Sequence, residues 1–208
     1  MIPIIDYGMG NLRSVQKAFE KVGVDAAICR SPQELADADS AVLPGVGAFR
    51  DAASELNRQG FADAIRDHVA AGKPLLGICL GLQLLFDVSE EDGEHAGLGL
   101  IPGRVTRFTS QPGLKIPHMG WNTIERTATP CPALDGLEPS PHVYFVHSYH
   151  VVPDDPAAAV LTSDHGGPFV AAVQHGSIFA TQFHPEKSQA VGQQMLRNFA
   201  DQVAVAAT

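Results

Sequence analysis

Apolar positions recur along this chain in two alternating rhythms. Ile2, Ile4, Ile5 and Tyr7 form a short, nearly continuous apolar run, after which Leu12, Val15, Phe19 and Val22 return at helical spacing until Gly23. The first pattern predicts a strand buried on both faces and the second an amphipathic helix closed by glycine. Val24–Cys29 predicts a second strand, and Ser31-Pro-Gln-Glu34 is a capping box with proline at the first helical position. Ser40–Leu43 reads as a third strand, Phe61–Ala71 as an amphipathic helix, and Leu75–Ile78 as another buried strand. From Leu80 the spacing of Leu80, Leu84 and Leu85 turns helical again. Strands alternating with helices predict a parallel sheet with helices on its faces.

Beyond Phe86 the rhythm changes. Ser89–Gly99 is a polar, glycine-containing loop, followed by short β-like runs at Arg104–Phe108, Trp121–Glu125, His142–Val152, Ala158–Thr162, Phe169–His175 and Ser177–Phe183. Gln174-His-Gly-Ser177 reads as a hairpin turn, and Val191, Met195, Leu196 and Phe199 mark one face of a terminal helix over Gln189–Val203. No linker or repeat interrupts the series. The expectation is one α/β domain over residues 1–208, a three-layer sandwich. Its central, mostly parallel sheet carries helices on both faces and gains antiparallel strands from the second half.

Composition narrows the function classes. A formal net charge of −9 with no basic stripe argues against a nucleic-acid partner. No apolar run approaches the roughly twenty residues needed to cross a membrane, and the start lacks a basic leader. Three widely spaced cysteines, Cys29, Cys79 and Cys131, suggest reduced thiols in a cytoplasm.

Cys79 carries the chemistry. It falls where the strand rhythm gives way to the helical one, between Gly77 and Gly81. This is a Gly-x-nucleophile-x-Gly elbow, the turn that lifts a reactive side chain above the end of a sheet. A helix N-terminus beside it favours the thiolate. A lone cysteine is commonly a core thiol, and the elbow by itself does not separate the two readings. Phe183-His184-Pro185-Glu186 does. Thiol chemistry needs an imidazole to take and return a proton, and a carboxylate to hold that imidazole in one tautomer.

The remaining motifs are weaker. Gly8-x-Gly10 begins a dinucleotide fingerprint, but Arg13 stands where its third glycine belongs, and no Lys-Ser/Thr follows Pro44-Gly-Val-Gly47 to make a phosphate loop. That loop follows the third strand, so it is either a plain turn or a backbone N–H donor beside the nucleophile. His147-x-x-His150 is the nearest approach to metal-ligand spacing and lacks further ligands, so no metal is expected.

Gly77-Ile-Cys79-Leu-Gly-Leu-Gln83 together with Phe183-His184-Pro-Glu186 resembles the class I, triad-type glutamine amidotransferases over the whole chain. Asp6–Arg13, Pro44–Gly47 and Lys115–Asn122 resemble the glutaminase subunits of imidazole glycerol phosphate synthases within that family. The resemblance implies hydrolysis of L-glutamine to glutamate and ammonia, without a cofactor. The ammonia would pass to a cyclase subunit, a (β/α)₈ barrel bound as a heterodimer, which converts PRFAR to imidazole glycerol phosphate and AICAR. It implies Cys79 as nucleophile, His184 as base and acid, and Glu186 as the group orienting His184. Leu80 and Val46 or Gly47 would supply oxyanion N–H donors. Gln83, Glu91, Ser148 and Tyr149 would hold the substrate's α-amino and α-carboxylate ends. Trp121, Tyr144 and Lys187 match partner-interface positions, against a plain sheet-packing reading of the two aromatics. Two alternatives remain at this stage: the glutaminase of pyridoxal phosphate synthase, and a stand-alone γ-glutamyl peptidase.

Overall fold

The computed structural model describes residues 1–206; Ala207 and Thr208, the end of the span expected as one domain, lie outside the described residues. In chain order the first half contains β1 (Ile2–Ile5), α1 (Leu12–Lys21), β2 (Ala26–Cys29), α2 (Pro32–Ala36), β3 (Ala41–Gly45), α3 (Phe49–Arg58), α4 (Phe61–Ala70), β4 (Leu75–Cys79) and α5 (Leu80–Leu84). The second half contains β5 (Phe86–Ser89), β6 (His95–Ala96), β7 (Ile101–Arg107), β8 (His118–Thr123), β9 (Glu125–Arg126), β10 (His142–His147), β11 (Tyr149–Pro153), β12 (Ala159–Asp164), β13 (Pro168–His175), β14 (Ile178–Thr181) and α6 (Gln189–Ala206).

The main sheet has eight strands in the order β2-β1-β3-β4-β14-β13-β12-β9. The pairs from β2 through β14 are parallel, and β13, β12 and β9 extend that edge in antiparallel sense. Alternation along the strands builds a core on each face, because successive side chains point to opposite sides. Ile4, Val42, Leu76, Ile78 and Phe179 meet Val15 and Phe19 of α1 and Met195, Leu196 and Phe199 of α6. Ile5, Leu43, Leu75, Ile178 and Ala180 meet Leu35, Phe49, Leu56, Phe61 and Ile65 of α2, α3 and α4. This is the α/β sandwich with helices on both faces.

The structure departs from the sequence rhythm in four places. The polar stretch after Phe86 is folded: β5 pairs with β6 and with β7. The helix after Cys79 stops at Leu84 because the Leu84 and Leu85 carbonyls turn away to accept from the amides of Leu98 and of Leu100 and Ile101. The apolar run His142–Val152 is two strands broken at Ser148, β10 pairing with β8 and β11 with β7 in separate small sheets. Only β13, β12 and β9 therefore enlarge the main sheet. Finally, α3 follows the Pro44–Gly47 loop directly, where the sequence reading assigned no helix.

Candidate active site

Two strand registers assemble the site. Parallel pairing of β3 with β4 sets Gly45 opposite Cys79, so the Val46-Gly47 loop leaves the sheet beside the thiol. Pairing of β14 with β4 sets Thr181 opposite Ile78, so Gln182–Glu186 leaves on the other side. The carboxyl ends of adjacent parallel strands are where such folds bind ligands.

The elbow is strained and closely packed. Cys79 has φ 56° and ψ −109°, a left-handed conformation uncommon for a residue with a side chain. A Cβ at Gly81 would collide with the Leu43 carbonyl oxygen, and one at Gly77 would lie 2.9 Å from the Ala180 Cβ. These contacts close the turn, so glycine is required at both places. The helix that follows has only five residues.

His184 sits opposite. Its Nδ1 is 2.8 Å from Glu186 Oε1, and both side chains are 2% exposed. Its Nε2 is buried and makes no hydrogen bond of good geometry among the described residues, although the Cys79 thiol is close enough to influence its charge. Burial alone would lower its pKa, but the neighbouring Cys79 and Glu186 outweigh burial and push it up to about 10. The imidazolium is thus favoured once a proton arrives from the thiol. The turn is clamped from behind: Ser188 Oγ donates to the His184 carbonyl at 2.7 Å and accepts from the Tyr144 amide at 3.0 Å. Gly192 lets α6 approach the Pro185 carbonyl, where a Cβ would collide.

A cavity of about 370 Å³ opens over the thiol, lined among others by Val46, Gly47, Leu80, Gln83, Glu91, Ser148, Tyr149 and His184. The structure therefore brings together the residues named above for nucleophile, proton transfer, oxyanion and substrate, with Glu186 behind His184. Gly47 adopts φ +103°, whereas Gly45 has no left-handed φ and is closed in by Tyr7 Oη and Leu80 Cβ. Conformational freedom in this loop thus resides at Gly47. Glu91 Oε2 accepts from the Phe49 amide at 2.8 Å, tying this cavity wall to the start of α3. Gln83 Nε2 donates to the Tyr149 carbonyl at 3.1 Å and to Gln182 Oε1 at 3.2 Å. Both its amide hydrogens are engaged, so Gln83 can offer a ligand only its oxygen, as an acceptor.

Trp121, Tyr144 and Lys187 also converge, outside the cavity. The Trp121 and Tyr144 rings meet edge to face at 5.9 Å, Lys187 Nζ lies 5.8 Å from the Tyr144 ring centroid, and Trp121 is 48% exposed. Sequence reasoning missed Gln182, which is fully buried and points its Nε2 at Cys79 Sγ, 3.8 Å away. No sequence signal marked it: β14 ends at Thr181, and the chain bends at Gln182 and Phe183. It also missed Tyr7, whose buried hydroxyl has no hydrogen-bond partner among the described residues and whose pKa is raised by burial and by Cys79.

The family model for glutamine amidotransferase class-I matches residues 3–203. The imidazole glycerol phosphate synthase subunit HisH of Syntrophotalea carbinolica is 56% identical, covering 97% of this chain and all of that protein. The protein of the same name from Rhodopirellula baltica is 50% identical over 96% of this chain and 97% of its own length. The solved structure of PurLQS from Thermotoga maritima shares the fold, with a TM-score of 0.77 at 21% identity over 97% of each chain. With the family match spanning nearly all its length and a thiol, imidazole and carboxylate meeting at the end of its sheet, the chain belongs to the class-I glutamine amidotransferases.

Proposed function

We propose that this chain is the glutaminase subunit of an imidazole glycerol phosphate synthase, releasing ammonia from L-glutamine for a cyclase partner of histidine biosynthesis. The observation that carries the reading is the Cys79–His184–Glu186 constellation facing one cavity, in a chain 56% identical to a protein of that name. The γ-glutamyl peptidase and pyridoxal phosphate synthase alternatives have no comparable support.

The Cys79 proton passes to His184 Nε2, and the thiolate sulfur attacks the carboxamide carbon. Charge collects on the former carbonyl oxygen, where the amides of Leu80 and of Val46 or Gly47 act as donors; one such donor is worth about 10²–10³ in rate. His184 returns the proton to the departing nitrogen, and ammonia leaves a Cys79 thioester. Water then adds with His184 as base, the C–S electron pair returns to sulfur, and glutamate is released. Glu186 keeps the imidazole in the tautomer with Nδ1–H and stabilises its charged form. Glu91 and the Gln83 oxygen receive the substrate ammonium, and the backbone at Ser148–Tyr149 its carboxylate.

The partner is a (β/α)₈ barrel that docks over Trp121, Tyr144 and Lys187 and receives ammonia in a heterodimer. The free thiols Cys29, Cys79 and Cys131 suit a cytoplasmic setting, and among the described residues no helix is long and apolar enough to cross a membrane.

The test is Cys79→Ala in the reconstituted complex. Glutamine-dependent synthesis should fall below about a hundredth of wild type, while synthesis from ammonium salt persists. Retained glutaminase activity would refute the covalent route; loss of both activities would refute a role confined to ammonia release.

A further inference from the structure

A continuous line of hydrogen bonds runs from the β8–β10 sheet to the nucleophile, and its direction is fixed at carbonyl groups that can only accept. At the outer end Asn122 Nδ2 donates to the Asp164 carbonyl at 2.8 Å, while Asn122 Oδ1 accepts from the Thr123 amide at 2.8 Å, which settles the amide's orientation. The same Nδ2 lies 3.2 Å from His118 Nε2, which must therefore be an acceptor. His118 then carries its hydrogen on Nδ1, 3.0 Å from His147 Nε2. His147 in turn carries its hydrogen on Nδ1, 2.8 Å from the Tyr149 carbonyl. Each ring has one tautomer only, as two neutral imidazoles in series require. Burial keeps them neutral: it lowers the pKa of His118 to about 4 and, helped by neighbouring histidines, that of His147 to about 3.

The line continues beyond Tyr149. Its carbonyl also accepts from Gln83 Nε2, whose second hydrogen goes to Gln182 Oε1. Gln182 is consequently turned with its N–H toward sulfur, 3.8 Å from Cys79 Sγ, an ordinary length for an N–H···S contact. It is fully buried, and among the described residues that nitrogen has no other hydrogen-bond partner. An amide buried beside a thiol and oriented as a donor favours the anionic form of the sulfur.

We propose that Gln182 is a catalytic residue of this site, its side-chain N–H stabilising the Cys79 thiolate, and that Gln83, His147, His118 and Asn122 are positioning residues that aim it. The donor acts twice. It holds the thiolate before attack, and it receives the sulfur again when the thioester C–S bond breaks and its electron pair returns to Sγ. The turnover consequences rest on the glutaminase reading; the effect on the thiol itself does not.

The test separates the two. Alkylation of Cys79 by iodoacetamide is followed against pH on the full chain, with peptide-resolved mass spectrometry to distinguish Cys29 and Cys131. The midpoint belongs to the Cys79–His184 pair. The other titratable groups around it are Tyr7 just beyond β1, Glu186 behind His184, and Glu91, His147 and Tyr149 on the cavity wall. All of them remain in the Gln182 variants. Gln182→Leu should raise the midpoint by about one pH unit and lower glutaminase kcat in the complex about tenfold, with KM within about twofold. Gln182→Glu, nearly isosteric, should raise the midpoint further, and it decides the matter if the leucine variant does not fold. A midpoint within about 0.2 of wild type in a folded variant overturns the proposal. For the positioning residues, His118→Phe should give a smaller upward shift, and His118→Asn, which keeps an N–H near the Nδ1 position, should restore the wild-type midpoint. Equal shifts in both would overturn the aiming role. A shifted midpoint without glutaminase activity in wild type would uphold the thiolate donor while rejecting the proposed function.

Discussion

His184 and His147 face the same cavity, and both are almost fully buried, at 2% and 5% exposure. Their charges nevertheless respond in opposite directions. Burial pushes both toward neutrality. At His147 only the hydrogen bond to the Tyr149 carbonyl opposes it, and burial prevails with the help of neighbouring histidines, among the Phe108, Phe145 and Phe169 rings. At His184 a carboxylate and a thiol within reach reverse the outcome. The same side chain is thus held ready to be charged in one place and neutral in the other. The difference lies in whether an acid stands beside it, not in depth of burial.

The sharpest way to break this comparison is to remove each ring. His184→Ala should lower glutaminase kcat by about 10⁴-fold or more, since base and leaving-group acid are lost together. His147→Phe preserves a packed ring and should cost far less, through disturbed orientation at Tyr149. Steady-state kinetics of both variants in the complex provides the check, and a larger loss at His147 would reverse the role assignment.

Removing the acid but keeping the ring is the next step. Glu186→Gln should lower kcat less than His184→Ala does, because orientation and charge change while the proton carrier stays. Its second signature is in stability. With a folded pKa near 10 against about 6.5 unfolded, His184 contributes stability that is fully present below pH 6.5 and is lost as pH rises through 10. Denaturant midpoints measured across that range should decline less steeply in Glu186→Gln. An unchanged slope would show that Glu186 is not what holds the charge.

The smallest effect lies at the opposite end of the pH scale. His118 and His147 have folded pKa values near 4 and 3, below the unfolded value of 6.5, so the unfolded chain takes up protons first. Stability should be complete above pH 6.5 and fall as pH drops toward 3. His118→Asn removes one of these groups and should flatten the acid limb, read from the same denaturant series. Wild-type and variant curves that superimpose would refute the buried neutral pair.

The sequence by itself determined a good deal of this protein. Apolar runs interrupted by helical periods dictated the parallel half, because strands buried on both faces and helices with one apolar face leave few other ways to cover their surfaces. Gly77, Cys79 and Gly81 marked the elbow because close packing at a strand-to-helix turn admits no Cβ there. His184 and Glu186 were legible because their chemistry is local, two residues apart across one proline. Tertiary structure alone decided what depends on register and on partners distant in sequence. The break at Ser148 is invisible in the apolar run His142–Val152, since both strands alternate alike and only their pairing in different sheets separates them. The short helix after Cys79 obeys hydrogen bonds from Leu98–Ile101 that no local propensity encodes. Gln182 lies 103 positions from Cys79, and its direction is set by the donating Gln83 amide of α5, itself aimed by the Tyr149 carbonyl of β11. A side-chain amide announces no orientation in sequence; only the groups that fold around it decide which end meets the sulfur.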